Sequence, residues 1–425
     1  MDHPNGHRAL AYFDTLFPDE LEQPVFSGGS IIEEIETFDG FGTQTQVVRE
    51  GAIPYYVNEF WTSGQRKAHS IHEVSYRACF KPQLPEFFIR RLTDPGDVVL
   101  DPFMGRGTTP VEAALHGRLA YGNDINPLST LLTRPRLNPP SYAAVQKALM
   151  RIDWAAPASV REDLLAFYHP ETLRRLCVLR DYLLKNAAPD QNRPDPALDW
   201  IRMVAINRLT GHSAGFFSVY SLPPNQAVTV ESQLKINAKR NQTPPVRDLM
   251  SIILKKTRTL FRDGVPNSAS DYCLITGAAD RMPTIADGSV ALTVTSPPFL
   301  DVVQYADDNW LRCWFAGIES NSVSISMHKT VEAWEAMVRS VLTEQCRVLK
   351  PGGHVAFEVG EVRNGKVLLE EAVWRAAEHL PFERLGVMVN QQEFTKTANC
   401  WGVKNNAKGT NTNRIVLLRK ASGRR

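Results

Sequence analysis

The chain has 425 residues, of which 43% are hydrophobic and 22% charged, and its formal net charge is +2 at pH 7. This composition is ordinary for a globular protein, and the length predicts two or three domains. No run of about 18 apolar residues is present, which excludes a membrane-spanning helix of the usual kind.

The N-terminal residues and the cysteines indicate in which cellular compartment the protein is expected. The first residues, MDHPNGHRALAYF, lack the basic segment and apolar core of a secretory signal. The cysteines are scattered without a CxxC pair, which favours reduced thiols over disulfides or a zinc site. We therefore expect a cytoplasmic protein. The six cysteines are Cys79, Cys177, Cys273, Cys313, Cys346 and Cys400.

Charge is distributed unevenly along the chain. Residues 1–60 contain eleven acidic and two basic residues, a sum of −9, so the remainder carries +11. A basic body with an acidic leader suits a polyanionic ligand, although solvated faces beside an acidic leader explain the pattern equally well. We interpret residues 1–60 as an acidic N-terminal extension that wraps a core.

After this extension the chain alternates strands and helices. The stretch GDVVLDPF predicts a strand, TTPVEAALHG a helix and RLAYGNDI a second strand. The pattern resumes at DYCLITGAADRMPTIADGSVALTVTSPPF and ends with two apolar runs, FERLGVMVN and NRIVLLRK. Such βαβ alternation predicts an α/β domain with a parallel sheet, formed by residues 61–127 together with 264–425.

Residues 128–263 have a different periodicity. Segments such as HPETLRRLCVLRDYLLKNA and VRDLMSIILKKTRTLFRDG place apolar residues at helical spacing. This predicts a mainly helical insertion between the two parts of the sheet.

A glycine-rich turn follows the first strand. In LDPFMGRGTT, Gly105 and Gly107 would let the backbone turn tightly and approach a ligand beside helix-start N–H groups. About twenty residues on, Asp124 follows the next strand, where an acid can accept hydrogen bonds from ribose hydroxyls. The spacing is GRG rather than GxGxxG, which argues against an ordinary NAD site.

These residues resemble the amino-methyltransferases of DNA, whose S-adenosylmethionine motif reads DPFxGxGTT. The resemblance implies a seven-stranded Rossmann-like methyltransferase sheet with S-adenosylmethionine as cofactor. The matching positions are Asp101, Pro102, Phe103, Gly105, Gly107, Thr108 and Thr109.

The same resemblance extends to two flanking stretches. YRACFKPQLPEFFIRRL is similar to the family's helix over the methionine end of the cofactor and places Phe80 there, although an ordinary amphipathic helix explains it nearly as well. The family often has an acid directly after the glycine in the third strand's turn. Here Gly277 precedes two alanines, and Asp280 is the candidate acid two places later.

The catalytic motif of this family ends a strand with (S/N/D)-P-P-(Y/F), and the chain has Ser296, Pro297, Pro298 and Phe299. The cytosine N4 amine is a poor nucleophile, and hydrogen bonds to the Ser296 hydroxyl and the Pro297 carbonyl would activate it. The prolines fix φ and stiffen the loop. Phe299 would stack on a base flipped out of the duplex.

The resemblance also implies a substrate. Serine at the first motif position is associated with N4-cytosine specificity, and Asp or Asn with N6-adenine. We therefore expect a site-specific DNA methyltransferase of a restriction-modification system that acts on cytosine N4 in double-stranded DNA. The alternatives are N6-adenine methylation, methylation of base amines in RNA, and a non-catalytic nucleic-acid-binding fold. A cognate restriction endonuclease is a candidate partner, and the sequence leaves monomer and homodimer open.

Two basic segments are candidate DNA contacts. One lies in the insertion, residues 128–263, which is therefore a candidate DNA-recognition region, although a solvated helical face also explains its charge. The other lies in a polar C-terminal loop, whose composition tight turns also explain. The candidate residues are Lys235, Lys239, Arg240, Lys255, Lys256, Lys404 and Lys408. His69 and His72 lack further ligands at metal spacing, so we predict no metal.

Overall fold

A computed structural model of the chain describes residues 30–61, 68–77, 79–189, 194–221, 226–266, 272–300, 305–319, 328–362, 367–391 and 412–422. The strands in these ranges are β1 (Gln46–Glu50), β2 (Ile53–Asn58), β3 (Val98–Asp101), β4 (Leu119–Asp124), β5 (Tyr272–Thr276), β6 (Val290–Thr295), β7 (Leu349–Val359), β8 (Glu361–Val362), β9 (Val367–Leu368), β10 (Phe382–Gln391) and β11 (Thr412–Lys420).

The helices in the same ranges are α1 (Ile31–Glu36), α2 (Gln83–Leu92), α3 (Thr108–Leu115), α4 (Pro127–Leu137), α5 (Tyr142–Met150), α6 (Pro170–Asn186), α7 (Pro196–Ile206), α8 (Val230–Arg240), α9 (Leu249–Leu260), α10 (Tyr305–Ala316), α11 (Val331–Val348) and α12 (Leu369–Ala376). Two short 3₁₀ helices span Ser70–His72 and Glu162–Ala166. Within the described ranges, no helix combines the length and apolarity needed to cross a membrane.

One sheet organises the fold. Among the described residues it has nine strands in the order β1-β2-β10-β11-β7-β6-β3-β4-β5. The strands from β7 to β5 are parallel, and β11 is antiparallel to both of its neighbours. The seven strands from β10 to β5 form the Rossmann-like sheet that the sequence predicts, and β10 and β11 close it as expected. Strand order reverses between β3 and β6, which opens a crevice at their carboxyl ends.

The acidic extension is not only a wrapping segment. Strand β2 pairs in parallel with β10, and β1 pairs antiparallel with β2, so residues 46–58 extend the sheet. The side chains of Tyr55 and Tyr56 are buried on opposite faces of the sheet, as alternation along a strand requires. The boundary that the sequence analysis sets at residue 60 therefore does not coincide with the edge of the sheet.

Helices cover both faces of the sheet. On one face, Trp334 of α11 and Val373 of α12 pack with Phe357 of β7. On the other, Phe88 of α2 and Val111 of α3 pack in a second apolar cluster. With both faces covered, the central strands are apolar throughout, and all six residues of β6 are buried.

Helices α4 to α9 lie between β4 and β5, where the sequence predicts a helical insertion. They share an apolar core with α10 and with Val74 and Tyr76, which precede α2. A buried ion pair joins α4 to α7, because Arg134 donates to both carboxylate oxygens of Asp199 at 2.7 and 2.9 Å. The insertion therefore packs against segments that border the crevice. Its role as a DNA-recognition region stays a prediction.

Candidate active site

A cavity lies at the carboxyl ends of β3, β4, β5 and β6. It brings together the glycine turn after β3, the acid after β4 and the Ser-Pro-Pro turn after β6. The lining residues are Tyr76, Cys79, Phe80, Pro102, Phe103, Met104, Gly105, Thr108, Asp124, Ile125, Asn126, Gly277, Ala278, Ala279, Asp280, Ser296, Pro298, Met337 and Val341. Two motifs that are far apart in the sequence thus face one space.

The two glycines of the turn have different roles. Gly105 lines the cavity with φ of 49°, and its N–H donates to Oδ2 of Asp124 at 2.8 Å. Gly107 has φ of 78° and precedes α3, where a Cβ atom would overlap the side chain of Thr133 on α4. Gly107 does not line the cavity. Close packing of α3 on α4 therefore requires this glycine, whereas the sequence analysis assigns it to the cofactor.

Asp101 and Thr109 lie beneath the cavity rather than on its surface. Oδ1 of Asp101 accepts hydrogen bonds from Oγ1 of Thr295 at 2.6 Å and from the N–H of Phe103 at 3.0 Å. Oγ1 of Thr109 donates to the carbonyl of Val294 at 3.1 Å. Burial raises the pKa of Asp101 to about 7. The two side chains join β3 and α3 to β6, so they position the cavity wall.

Asp124 faces the cavity and also organises the turn. Its Oδ1 accepts from the N–H of Asn126 at 2.8 Å while Oδ2 accepts from Gly105. Burial raises the pKa of this carboxyl. The aspartate thus holds the glycine turn against the start of α4.

Asn123 is a site residue that the sequence analysis missed. Its Nδ2 donates to the carbonyls of Pro102 at 3.2 Å and Gly277 at 3.0 Å, which ties the turn after β3 to the turn after β5. It is fully buried. A polar amide inside the buried strand LAYGND was the available signal, because buried polar groups need partners.

The remaining cofactor candidates also line the cavity. Phe80 is half-buried, and Asp280 is exposed beside the buried Ala279. Asp280 therefore reaches the cavity although it follows Gly277 two places later than the family pattern. Pro102, Phe103 and Thr108 complete the predicted set on this wall.

The Ser-Pro-Pro turn is held by α11. Ser296 and Pro298 line the cavity, whereas Pro297 is buried and Phe299 packs, half-buried, against the apolar core. Nε1 of the buried Trp334 donates to the carbonyl of Pro298 at 2.9 Å. The loop is therefore fixed by its two prolines and by a bond to the helix that covers it.

Glu358, on β7, is the second residue that the sequence analysis missed. Its side chain lies close to that of Ser296, and its Oε1 accepts a hydrogen bond from Nδ2 of Asn413 at 3.0 Å. It is 7% exposed, and burial raises its pKa. Pairing of Thr295 with Phe357 places Ser296 and Glu358 side by side at the ends of adjacent parallel strands. A lone acid in the apolar run HVAFEVG was the signal for this residue.

The predicted DNA contacts lie in several environments. On α8, Lys235, Lys239 and Arg240 are exposed. On α9, Lys255 is exposed, whereas Lys256 is largely buried and pairs with Glu73 at 3.1 Å. Lys404 and Lys408 lie outside the described residues.

Carboxylates and histidines meet near α3. Glu86, Glu112 and His116 place ligand atoms within 4.8 Å of one another. Glu112 accepts hydrogen bonds from Nε2 of His72 at 2.7 Å and of His116 at 3.1 Å. These hydrogen bonds explain why the three side chains lie together without a metal ion. That the protein binds no metal stays a prediction.

Comparison with known proteins relates the first half of this site to a family. Residues 45–129 match the family model described as DNA methylase. The type II methyltransferase M.MjaII of Methanocaldococcus jannaschii is 36% identical over 85 residues, which are 20% of this chain and 16% of that protein. The type II methyltransferase M.MvaI of Kocuria varians is 32% identical over 117 residues, 27% of this chain and 24% of that protein.

These matches leave most of each relative uncovered, since they span less than a quarter of the two curated proteins. Among solved structures, TrmN from Thermus thermophilus is 14% identical to the chain with a TM-score of 0.31, over 81% of this chain and 50% of that one.

Proposed function

We propose that this chain, which belongs to the DNA amino-methyltransferase family through its cofactor-binding segment, methylates the N4 amine of a cytosine flipped out of duplex DNA. S-adenosylmethionine is the methyl donor. The observation that carries the proposal is that Ser296 and Pro298 face the same cavity as Gly105 and Asp124. A methyl donor on one wall would thereby meet an amine held on the other.

The cavity fits the cofactor by its chemistry. Asp124 supplies a carboxylate where ribose hydroxyls can donate to it, and Pro102, Phe103 and Ile125 supply apolar surface. Gly105 brings backbone to the cavity without a side chain, which allows a ligand to approach closely. When bound, S-adenosylmethionine supplies an electrophilic methyl group. The residues that would hold it are Asp124, Gly105, Phe103, Asp280 and Phe80.

The residues around Ser296 suit an amine nucleophile. In this proposal the Ser296 hydroxyl donates to the nearby Glu358, which leaves its oxygen lone pairs free to accept from the cytosine amine. The Pro297 carbonyl is the second acceptor in this proposal. Holding the amine between two fixed acceptors orients its lone pair toward the methyl group, and orientation of this kind accelerates transfer.

Glu358 gives the released proton a destination. Transfer of the methyl group from the sulfur of the donor to the amine nitrogen would leave that nitrogen positively charged, so it would have to lose one proton. Ser296 can accept that proton while it passes its own hydroxyl proton to the ionised Glu358. The nitrogen–hydrogen bond breaks, the carboxyl gains a proton, and the methylated base is neutral. A carboxylate whose pKa is raised by burial is a better base for this step.

Methylated nucleosides are the decisive measurement. The protein would be produced in a host without DNA methylases, and host DNA and RNA would be digested and quantified by mass spectrometry. N4-methylcytosine in DNA is the expected result. N6-methyladenine instead would reject the assignment drawn from Ser296 but keep the family activity, and methylated RNA with unmethylated DNA would reject DNA as substrate.

The DNA contacts and partners belong to the same proposal. The exposed Lys235, Lys239, Arg240 and Lys255 supply positive charge on the insertion, which suits phosphate contacts. A cognate restriction endonuclease is the partner expected of a restriction-modification enzyme.

A further inference from the structure

A second cleft, of about 750 Å³, adjoins the candidate active site. Tyr76 lines both spaces, and two loops contribute neighbouring residues to each. Phe80 lines the active-site cavity and Lys81 the cleft, and Gly105 lines the cavity and Arg106 the cleft. The two spaces are therefore neighbours that share Tyr76 and two loops.

The cleft is strongly basic. Its lining includes five cationic side chains and two carboxylates. The cations come from separate parts of the chain: the start of α2, the glycine turn, the segment after α7, and α9 with the residues that follow it. They are Lys81, Arg106, Arg208, Lys256 and Arg262, and the acids are Glu73 and Asp263.

The two acids neutralise only part of this charge. Glu73 pairs with Lys256 at 3.1 Å and with Arg262 at 3.3 Å, and Asp263 also pairs with Arg262. Arg106 donates to the carbonyls of Val74 and Phe80, both at 3.1 Å. These bonds position its guanidinium without neutralising it.

Arg208 is one of the five cations, and the fully buried Arg136 adds a further positive charge behind the cleft. Nε of Arg208 donates to the carbonyl of Asn207 at 2.8 Å, and its guanidinium lies 4.1 Å from the ring centre of Phe216. Arg136 lies behind the glycine turn and donates to the carbonyl of Arg106. Within the described part of the chain, its Nη1 has no hydrogen-bond partner.

Such a group of cations is unfavourable without an anion. Burial lowers the pKa of Arg208 to about 10. Burial, and next the charge of Arg208, lower the pKa of Lys256. Packing on Phe216 explains where Arg208 lies but not why other cations surround it. A bound anion would offset both the burial and the mutual repulsion.

We infer that this cleft binds backbone phosphates of duplex DNA next to the target nucleotide. The inference rests on the proposed function, because a base placed in the active-site cavity brings its flanking phosphates to the adjoining wall. S-adenosylmethionine carries a single carboxylate and two positive charges, so the cofactor does not account for a lining with five cations. Backbone phosphate contacts carry no sequence information, and they position the strand.

The first test removes positive charge from the cleft. A Lys256→Gln, Arg208→Gln double variant is compared with Lys147→Gln, Lys185→Gln, which removes equal charge from exposed positions on α5 and α6. The affinity for a random-sequence duplex is measured over a series of salt concentrations. The slope of log affinity against log salt should fall by roughly 0.9 for each phosphate that the cleft variant no longer binds. The control variant should keep the wild-type slope.

The second test removes negative charge from the cleft, so the expected change in duplex affinity has the opposite sign. Glu73→Gln removes an acid that competes with phosphate for Lys256 and Arg262, so it should bind the duplex more tightly than wild type at every salt concentration. If the ion pairs of Glu73 only stabilise the fold, the variant should bind the duplex as tightly as wild type or more weakly. Affinity for S-adenosylmethionine, measured by calorimetry, should be unchanged in all these variants and reports that they are folded.

The outcomes separate this inference from the proposed function. If wild type binds the duplex while the cleft variant keeps its slope and Glu73→Gln does not tighten binding, the inference is overturned and the proposed function stands. If wild type binds RNA but not duplex DNA, both fail. A lowered slope in the cleft variant alone, with tighter binding by Glu73→Gln, supports the inference.

Discussion

Buried acids surround the predicted site of methyl transfer. Asp101 lies beneath the glycine turn and accepts a hydrogen bond from Thr295, and Glu358 lies close to Ser296. Both carboxyls have raised pKa values because burial disfavours their charged forms. At the scale of single residues, buried acids at the carboxyl ends of β3 and β7 therefore lie on either side of the polar residues that end β6.

Ser296→Ala should reduce turnover far more than it reduces affinity for S-adenosylmethionine. The hydroxyl is expected to contact the reacting amine, and removal of such a contact costs roughly 10²-fold or more in rate. Turnover is measured with labelled methyl donor and affinity by calorimetry. Equal losses in both quantities would show that Ser296 does not act in the methyl-transfer step.

Glu358→Gln should lower turnover and change its dependence on pH. In the wild type the proposed proton acceptor must be ionised, so turnover should rise with pH through a pKa above the usual glutamate range. The glutamine variant cannot ionise and should lack that rise. Glu383→Gln, an exposed glutamate on β10, is the matched control and should retain it. A rise that persists in Glu358→Gln would assign the titration to another group.

The stabilising contribution of Asp101 should decrease as the pH rises. Its pKa is about 7 in the folded protein against the ordinary value of 3.8, so between these values the folded state binds more protons than the unfolded state. The contribution of Asp101 to the free energy of unfolding should therefore decrease from about pH 4 to pH 7. Denaturant unfolding of wild type and Asp101→Asn over this range measures it.

Asp97→Asn is the control, because the pKa of Asp97 is shifted in the opposite direction from that of Asp101. Partial burial opposes the shift, but the hydrogen bond from Lys350 at 2.7 Å lowers the pKa of Asp97. Its contribution to stability is present above the unfolded value and is lost as the pH falls. Parallel profiles for wild type and Asp101→Asn would contradict the assignment of a raised pKa to Asp101.

At the scale of elements, the insertion depends on how α4 meets α7. The side chains of Arg134 and Asp199 are 9% and 3% exposed and form a bidentate pair. Helix α4 also packs through Thr133 against Gly107 at the start of α3. Because α4 begins three residues after Asp124, its packing connects the insertion to the cavity wall where we propose that the cofactor binds.

Asp199→Ala should destabilise the protein by about 3–5 kcal/mol, because it leaves the buried Arg134 without its carboxylate partner. Thermal or denaturant unfolding measures the loss. The control is Asp181→Ala, whose pair with Arg180 is 46% exposed on the acid side and should contribute about 0–1 kcal/mol. Equal effects of the two variants would mean that the α4–α7 ion pair does not stabilise the insertion.

At the scale of the whole molecule, positive charge occurs on two kinds of surface. The cations of α8 are exposed on the insertion, whereas those of the basic cleft are partly buried between the insertion and the sheet. The net charge of +2 conceals this arrangement because the acidic leader offsets it. Exposed and partly buried cations should therefore contribute separately to DNA binding.

A Lys235→Gln, Lys239→Gln, Arg240→Gln variant should weaken duplex binding and lower its salt dependence, since these side chains are proposed phosphate contacts. Affinity for S-adenosylmethionine should not change, because α8 does not line the cavity. The salt dependence of duplex binding measures the first effect and calorimetry the second. An unchanged slope would place the recognition surface elsewhere on the protein.

The sequence by itself determined the parts of this protein that local physics specifies. Hydrophobic periodicity identified the βαβ units and the helices of the insertion, because burial of one face repeats every two or 3.6 residues. The DPFMGRGTT and SPPF motifs identified the two walls of the site, because tight turns need glycine and stiff loops need proline.

Only the tertiary structure decided how distant segments meet. It placed β2 beside β10, Glu358 close to Ser296, and Gly107 against Thr133. It also showed that Lys256, but not Lys255, lines the basic cleft. Each of these contacts joins residues that belong to different elements, and no local pattern records such a pairing. The physical reason is that packing and pairing partners are selected by the three-dimensional shape of the whole core, whereas turns and periodicity depend only on neighbours along the chain.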